Sequence, residues 1–534
     1  MRIEKVKIDG FKNLIQFNIE LDKDAVHTVL IGQNAAGKSN FLEALVIIFR
    51  DLDLAEKKTI IPDFDFEIEY KCKIYSIKVI GVCPKEKIIT AKSGEHSLEN
   101  IKGSVEFFVD GEKVTKAAFY RKKSDYLPRY VFSYYSGISN RLVEHFDTHQ
   151  KHFRDELLKG NEKPLRPLFY ARLIHSHFVL LAFFGFGKKN IDEFLKEYLG
   201  ILGLESILFV LKKPNWPGDK EIGDAKFWYA KGVVKDFLND LWDASLGPIP
   251  FEDNIRVDFD KNLKQEQLFL YVSNQEKLEK LAQKYGTNTN FFKMLESTYL
   301  SDLIQEVRVR VKKENIKGNI TFKELSEGEQ QLITVLGLIR FTKEDESLFL
   351  LDEPDTHLNP LWKWKYMSLL EKIIGKEENS QIIMTTHDPL VIGGLVKEEI
   401  RIFFKDKTDK VIKALEPNFD PKGLGVAGIL TSEFFNLPST LDYDTELEVI
   451  KQYELVAKKN TTGLTQKEEK ILLDLNKYLD EIGYNFKSID PLYDKFLVAI
   501  TKETDFKLRA TTPEEKKIQE NLVLKVLKEI SEKK

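Results

Sequence analysis

The segment Gly32-Gln33-Asn34-Ala35-Ala36-Gly37-Lys38-Ser39 decides the fold of this chain of 534 residues. It follows the apolar run Val29-Leu30-Ile31, and apolar residues recur at helical spacing between Phe41 and Phe49. The sequence therefore predicts a strand, a glycine-bearing loop and a helix. In that context the pattern GxxxxGK[ST] is typical of a loop that binds nucleotide phosphates.

This phosphate-binding loop (residues 32–39) is predicted to bind ATP together with Mg²⁺. Its backbone N–H groups and the positive end of the following helix would hold the α and β phosphates. Lys38 would neutralise charge on the β and γ phosphates during the reaction, and the Ser39 hydroxyl would ligate Mg²⁺. The residues predicted to contact the nucleotide are Gly32, Asn34, Ala35, Ala36, Gly37, Lys38, Ser39 and Asn40.

Two further apolar strands end in residues suited to catalysis. The run Ser347-Leu348-Phe349-Leu350-Leu351 ends in Asp352 and Glu353, and two acids at a buried strand end are costly without a cation. We predict that Asp352 holds Mg²⁺ and that Glu353 polarises the water that attacks the γ phosphate. The strand Gln381–Thr386 delivers His387, which is predicted to hydrogen-bond the γ phosphate.

A helix is predicted to begin at Ser326-Glu327-Gly328-Glu329, followed by apolar residues at helical spacing. Ser326 with Glu329 three residues later is also an ordinary capping box, and taken alone it has no further meaning. Its position, a short distance before the Asp352-Glu353 strand, favours a functional role.

These four elements together resemble the ATPase heads of the ABC and SMC family, over residues 1–50 and 320–400. The resemblance implies that Ser326, Gly328 and Glu329 bind the γ phosphate of ATP held by a second copy. The form Asp352-Glu353-Pro354-Asp355-Thr356-His357-Leu358-Asn359-Pro360 resembles the RecF and OLD branch of the family. One departure is the segment Phe132–Gly137, which lacks the family's glutamine and leaves the second magnesium contact unassigned.

The predicted fold class is α/β: an ABC-type head whose mixed or parallel sheet carries the phosphate-binding loop, joined to an antiparallel β sub-sheet. An inserted helical lobe and a helical C-terminal region complete the chain. We expect the first half of the head in residues 1–137 and a mainly helical insertion in 138–319. The second half of the head is expected in 320–415 and a helical interaction region in 416–534.

Composition limits the class of protein. With 42% hydrophobic and 31% charged residues the chain is expected to fold, and its net charge of −4 indicates neither nucleic acid nor membrane as an obligatory partner. A local basic groove remains possible. Two isolated cysteines, Cys72 and Cys83, and no apolar stretch typical of a signal peptide or membrane span predict a cytoplasmic protein.

A narrower resemblance is to PtuA, the ATPase of Septu antiphage systems and of some retrons. It depends on Tyr134-Tyr135-Ser136-Gly137, on the helix start at Ser326 and on the segment Gly428–Thr440. The resemblance implies a homodimer or higher homo-oligomer, and a PtuB-like partner nuclease of the HNH type that the ATPase regulates. Nucleic acid would then be contacted directly or through that partner.

Two alternative functions are an OLD-like nuclease and a DNA-repair ATPase. Asp442 and Asp444 are more typical of a helix cap and a solvated turn than of metal ligands, so we predict that the chain is not itself a nuclease. It could also be a RecF-like or SMC-like repair ATPase that clamps DNA. The histidines His145, His149 and His152 fall on one predicted helix face, where the alternatives are a zinc site and an ordinary polar face.

Overall fold

The protein is described from a computed structural model, in which the described residues are 1–56, 59, 61–90, 96–137, 139, 141–160, 168–187, 195–258, 260–314, 316, 318–342, 346–374, 380–482, 484, 496, 500 and 513–532. Two compact units are present, Met1–Gly423 and Leu424–Lys534.

The first unit begins with three strands and a helix, followed by six further strands. In the first part these are β1 Arg2–Asp9, β2 Phe17–Glu20, β3 His27–Gly32, α1 Lys38–Leu54, β4 Asp65–Cys72, β5 Tyr75–Val82, β6 Lys85–Thr90, β7 His96–Ile101, β8 Ser104–Val109, β9 Glu112–Val114, α2 Lys116–Arg121, α3 Lys123–Tyr126 and β10 Tyr130–Tyr135. In the insertion they are α4 Val143–Leu158, β11 Leu168–Tyr170, α5 Leu173–Phe186, β12 Ile201–Lys212, α6 Gly232–Ala244, β13 Ile249–Asp258, β14 Lys261–Val272, α7 Gln275–Gln283, α8 Asn288–Leu300 and β15 Ile304–Lys313.

The rest of the first unit contains β16 Asn319–Thr321, α9 Glu327–Thr342, β17 Ser347–Asp352, α10 Pro360–Ile374, β18 Ser380–Thr385, α11 Pro389–Ile392, β19 Ile400–Lys405 and β20 Ile412–Leu415. The second unit is helical where it is described, with α12 Gly425–Thr431, α13 Tyr443–Thr461, α14 Gln466–Glu481 and α15 Pro513–Glu532. None of the described helices is both long enough and apolar enough to span a membrane.

A seven-stranded sheet carries the candidate site. Its strand order is β11-β10-β17-β18-β3-β19-β20, and all pairings are parallel except that of β19 with β20. Strands β17 and β18 are buried along their whole length, which explains their continuous apolar runs. Because the strands are parallel, their carboxyl ends meet at one edge of the sheet.

An antiparallel sheet packs over the other side of α1. Its six strands are ordered β2-β1-β4-β5-β8-β9, and its first hairpin pairs Ile8 with Phe17 and Val6 with Ile19. Their side chains, with Phe41 and Leu45 of α1, belong to one buried core. The α/β class and the antiparallel sub-sheet predicted from the sequence are thus confirmed.

The insertion contains more strand than was predicted. Besides its helices it holds a five-stranded antiparallel sheet ordered β13-β14-β12-β15-β16. The expectation of a mainly helical lobe left this sheet out. In β12 the consecutive residues Phe209, Val210 and Leu211 are all buried, so no alternation marked the strand.

Candidate nucleotide-binding site

The predicted functional residues lie at the carboxyl ends of adjacent strands. β3 leads into the phosphate-binding loop, β17 ends in Asp352 and Glu353, and β18 ends beside Thr386 and His387. Ligands of parallel α/β sheets bind at this edge. The tertiary structure therefore assembles residues that are more than 300 positions apart in the sequence.

The loop geometry depends on two glycines. Gly32 has a φ of +139°, and a Cβ atom there would lie 2.0 Å from the carbonyl oxygen of Phe403. Gly37 has a φ of +90° and is the N-cap of α1. Glycine alone tolerates both the close approach and the left-handed backbone, so the chain can turn directly from strand to helix.

Lys38 is held over this loop. Its Nζ donates hydrogen bonds to the carbonyl oxygens of Gly32, at 2.9 Å, and Gln33, at 3.1 Å. Burial lowers the pKa of Lys38 to about 8, although the charges of Glu353 and Asp352 act in the opposite direction. A cation kept in a confined place is suited to the phosphate role predicted for it.

Asp352 and Ser39 form an arrangement that fits Mg²⁺. The Ser39 Oγ donates to Asp352 Oδ1 at 3.0 Å, and the Thr385 Oγ1 donates to the same oxygen at 2.6 Å. The other oxygen, Oδ2, is buried and has no hydrogen-bond partner among the described residues. Burial raises the pKa of Asp352, against the hydrogen bonds from Thr385 and Ser39. A hydroxyl beside an unpartnered carboxylate oxygen is a donor set that Mg²⁺ prefers, and bound Mg²⁺ neutralises charge on phosphate oxygens.

Glu353 and His387 lie together at the edge of this group. Glu353 Oε1 is 3.3 Å from His387 Nε2, and both side chains are half-buried. The hydrogen bond with His387 lowers the pKa of Glu353 despite burial, so the carboxylate is ionised and able to accept a proton. The backbone of Glu353 has a φ of +52°, and its N–H donates to Thr385 Oγ1 at 3.0 Å. A strained backbone held in this way is typical of a functional position.

The helix start at Ser326 is closed by a capping box. The Ser326 N–H and Oγ donate to Glu329 Oε2 at 2.8 and 3.0 Å, and Lys313 Nζ donates to Glu329 Oε1 at 2.6 Å. Gly328 passes close to the loop after Glu353, where an added Cβ would lie 2.5 Å from the carbonyl oxygen of His357. Glu329 thus has a structural role, whereas its predicted contact with nucleotide stays a prediction.

Asn40 belongs to a polar network that also fixes the loop. Its Nδ2 donates to Asn13 Oδ1 at 2.7 Å, and Asn13 Nδ2 donates to the carbonyl oxygen of Ala35 at 2.9 Å. Arg141 donates to Asn40 Oδ1 at 2.6 Å and to buried Glu43. Burial by itself raises the pKa of Glu43. Hydrogen bonds from His145, Lys12 and Arg141 outweigh burial and lower the pKa of Glu43 to about 2.

Arg141 and Glu43 were not predicted from the sequence. No local pattern singles out either residue, although Glu43, an acid inside the apolar stripe of α1, was a usable signal.

The predicted histidine cluster lies on α4, and two of its members contact acids of α1. His145 Nε2 lies 3.2 Å from Glu43 and His149 Nε2 lies 2.8 Å from Asp53, while His152 is exposed. Within the described residues, no three His, Cys, Asp or Glu side chains are grouped to hold a metal ion.

Ser136 follows strand β10, in the segment that lacks the glutamine expected from the family resemblance. The Ser136 N–H donates to the carbonyl oxygen of Asp352 at 3.2 Å, and its Oγ lies 3.3 Å from Thr356 Oγ1. Thr356 in turn donates to Glu353 Oε2 at 3.3 Å. Ser136 therefore connects the end of this strand to the Asp352-Glu353 turn through its backbone N–H and through Thr356.

Asp355 is a further site residue that sequence reasoning missed. It is buried, and its Oδ2 accepts a hydrogen bond of 2.9 Å from Thr386 Oγ1, next to His387. Thr386 Oγ1 also accepts a bond from the Asp388 N–H, and Lys363 Nζ donates to Asp388 Oδ2. Asp355 thereby ties the turn after Glu353 to the segment that carries His387.

The burial of Asp355 gives a stability prediction. Burial raises the pKa of Asp355 from 3.8 to about 6, so the folded protein favours the protonated acid. The folded state is therefore most stable, with respect to this group, below pH 3.8, and it loses that stability as pH rises through 6. Asp355→Asn keeps an acceptor for Thr386 without the charge. We expect the variant to be more stable than wild type above pH 6, by about 3 kcal/mol at most, and to lose this advantage near pH 4.

Denaturant unfolding of the ATP-free protein across this pH range measures the difference. Asp355→Ala, which also removes the hydrogen bond, is the control. A constant difference between Asp355→Asn and wild type at all pH values would contradict the prediction.

The chain is similar to known proteins over parts of its length. Residues 1–166 match a family model described as "AAA ATPase domain", and residues 217–393 match a second, described as "AAA domain, putative AbiEii toxin, Type IV TA system". The chain is 32% identical over 208 residues to "Septu protein PtuA" of Bacillus mycoides, covering 36% of this chain and 28% of that protein. It is 29% identical over 151 residues to "Retron Vc95 probable ATPase" of Vibrio cholerae, covering 26% of this chain and 28% of that protein.

The chain thus spans 28% of the length of these curated relatives. Among solved structures, the "SMC head domain from Thermotoga maritima" is similar at 14% identity with a TM-score of 0.31, covering 78% of this chain and 100% of that chain.

Two separate segments of the chain thus match models of AAA domains. Over part of its length the chain is similar to Septu PtuA proteins and to a retron ATPase.

Proposed function

We propose that two copies of this chain form composite ATP sites, and that their ATP state regulates a partner nuclease of the HNH type in antiphage defence. The observation that carries the hydrolytic part is the cluster in which Asp352 contacts Ser39 while Glu353 contacts His387. The relationship to Septu PtuA supports the role in defence and the kind of partner.

Each residue of the candidate site has a distinct role in this proposal. Backbone N–H groups of the phosphate-binding loop and the Lys38 ammonium bind and orient the phosphates of ATP. Ser39 and Asp352 would hold Mg²⁺, and ionised Glu353 would accept a proton from the attacking water. His387, which contacts Glu353, would donate a hydrogen bond to the terminal phosphate.

The helix start at Ser326 is proposed to complete the site of the other copy. Ser326 is exposed, and its hydroxyl contacts Glu329 of its own turn. An exposed helix N-terminus carries partial positive charge and attracts a phosphate. The capping contact would yield to that phosphate, so closure of the dimer would depend on ATP.

The nuclease activity is assigned to another chain. Asp442 accepts a hydrogen bond of 3.0 Å from the Thr445 N–H and thereby caps α13, which supports a structural role for it. The two free cysteines, Cys72 and Cys83, support our placement of the protein in the cytoplasm.

Reconstitution tests this division of labour. We expect the purified chain with Mg²⁺ and ATP to leave DNA and RNA intact. Adding an HNH nuclease encoded beside it should produce cleavage that differs between wild type and Glu353→Gln. Cleavage by the ATPase alone that disappears in Asp442→Ala would overturn the assignment, as would partner cleavage that ignores ATP.

A further inference from the structure

The five-stranded sheet of the insertion has one exposed basic face. Along β15 the residues Val307, Val309 and Val311 are buried, whereas Arg308, Arg310 and Lys312 alternate with them and are exposed. The sheet contacts the helices α5 to α8 of the lobe, and the buried valines belong to that core. The three cations therefore form a row on the opposite face.

Aromatic side chains share this face with the cations. Arg308 is paired with Leu208 of β12, and Leu208 is paired with Tyr271 of β14. Directly paired residues in antiparallel strands lie on the same face. Phe269 lies two positions before Tyr271 on β14, so it is on the same face as Tyr271 and the cations.

A second aromatic contact extends the surface to β13. The rings of Phe251 and Phe269 are stacked, with centroids 5.4 Å apart and an interplanar angle of 27°. Tyr271 is 38% exposed and Phe251 is 47% exposed. Large aromatic side chains are thus accessible on a surface that also carries cations.

The charge of the face remains positive after its acidic residues are included. Glu306 lies on it and forms ion pairs with Arg308 and with Lys323. Glu324 lies close enough to Arg310 for their charges to interact, and Asp253 lies near the far edge on β13. Arg310 and Lys312 form no ion pair with any described residue. A row of three cations in which two form no ion pair within the described part of the chain is complementary to a polyanion.

We propose that this face binds single-stranded nucleic acid, with phosphates on Arg308, Arg310 and Lys312 and bases on Tyr271, Phe269 and Phe251. The cation row and Tyr271 are two strands apart, about 10 Å. Sheets that combine accessible aromatic and basic side chains stack splayed bases while binding the backbone. A duplex keeps its bases stacked and hides them from such a surface.

This proposal goes beyond the proposed function and does not depend on it. The face is formed by β12, β13, β14 and β15, and none of its residues is part of the nucleotide-binding site. The ATPase would contact nucleic acid itself, through its inserted lobe.

Fluorescence anisotropy of the full chain with labelled oligonucleotides of about 16 nucleotides tests it. The arms are single-stranded DNA, single-stranded RNA and a DNA duplex, each at several salt concentrations. We expect one or both single strands to bind more tightly than the duplex, with affinity falling as salt rises. Arg310→Glu with Lys312→Glu should weaken binding at least about tenfold, and Tyr271→Ala should weaken it about fivefold or more.

The matched control is Lys264→Glu, because Lys264 of β14 is exposed but alternates to the other face of the same sheet. All variants should retain wild-type ATP turnover, which shows that they fold. Equal loss in Lys264→Glu, binding that is unaffected by Tyr271→Ala, or preference for the duplex would overturn the proposal. Binding only to a protein partner or to anionic vesicles would overturn it as well.

Discussion

Glu353→Gln is expected to reduce ATP turnover at least about a hundredfold while ATP still binds. Glutamine preserves the shape of the side chain and its contact with His387, but it cannot accept a proton from water. The carboxylate is ionised and therefore able to accept a proton, because its hydrogen bond with His387 lowers its pKa. ATP that is bound but not hydrolysed should stabilise the closed dimer by mass action.

Phosphate release, ATP binding and molecular mass in solution measure these three effects separately. Lys38→Ala is the contrasting variant, because removing the buried ammonium should weaken ATP binding itself. Turnover near the wild-type rate in Glu353→Gln would exclude Glu353 as the base. Loss of ATP binding in that variant would instead give the carboxylate a role in binding.

Mixing Lys38→Ala chains with Ser326→Arg chains should restore activity that neither variant has alone. In a mixed dimer one site collects both defects and the other has none, if Ser326 acts on the nucleotide of the second copy. An equal mixture should therefore reach about a quarter of wild-type turnover, because about half of the dimers are mixed and each has one intact site.

The control for this experiment pairs Lys38→Ala with Glu353→Gln. Both changes affect the same side of the site, since Lys38, Asp352 and Glu353 lie together within one chain. Every site in the mixed dimer then has one defect, and no activity should return. Absence of recovery with Ser326→Arg in mixed dimers isolated by two different tags would contradict the composite site.

Much of the geometry of the candidate site could be predicted because its determinants are local. The loop at residues 32–39 needs glycine where φ is positive, and its flanking strand and helix have clear apolar periodicity. The acids at the end of β17 and the histidine after β18 follow continuous apolar runs, so the sequence predicted their position at strand ends. The capping box at Ser326 was likewise visible in sequence, and the structure shows its hydrogen bonds.

Other parts of the site could not be predicted because their partners are distant in sequence. Asp355 contacts Thr386, and Arg141 contacts Glu43, through side chains that only the folded sheet brings within hydrogen-bond distance. The sheet of the inserted lobe was missed for a related reason. Burial on both faces of β12 removed the alternation that distinguishes a strand from a buried helix.

The sequence by itself determined that this chain contains a strand, a glycine-bearing loop with the GxxxxGK[ST] pattern and a helix, and that acids and a histidine follow two buried strands, because backbone sterics and apolar periodicity act over a few neighbouring residues. The tertiary structure decided which of these side chains meet, how Asp352 is left with an unpartnered oxygen and which sheet face exposes the basic row. Those features depend on strand order and register, which are set by packing between segments hundreds of residues apart.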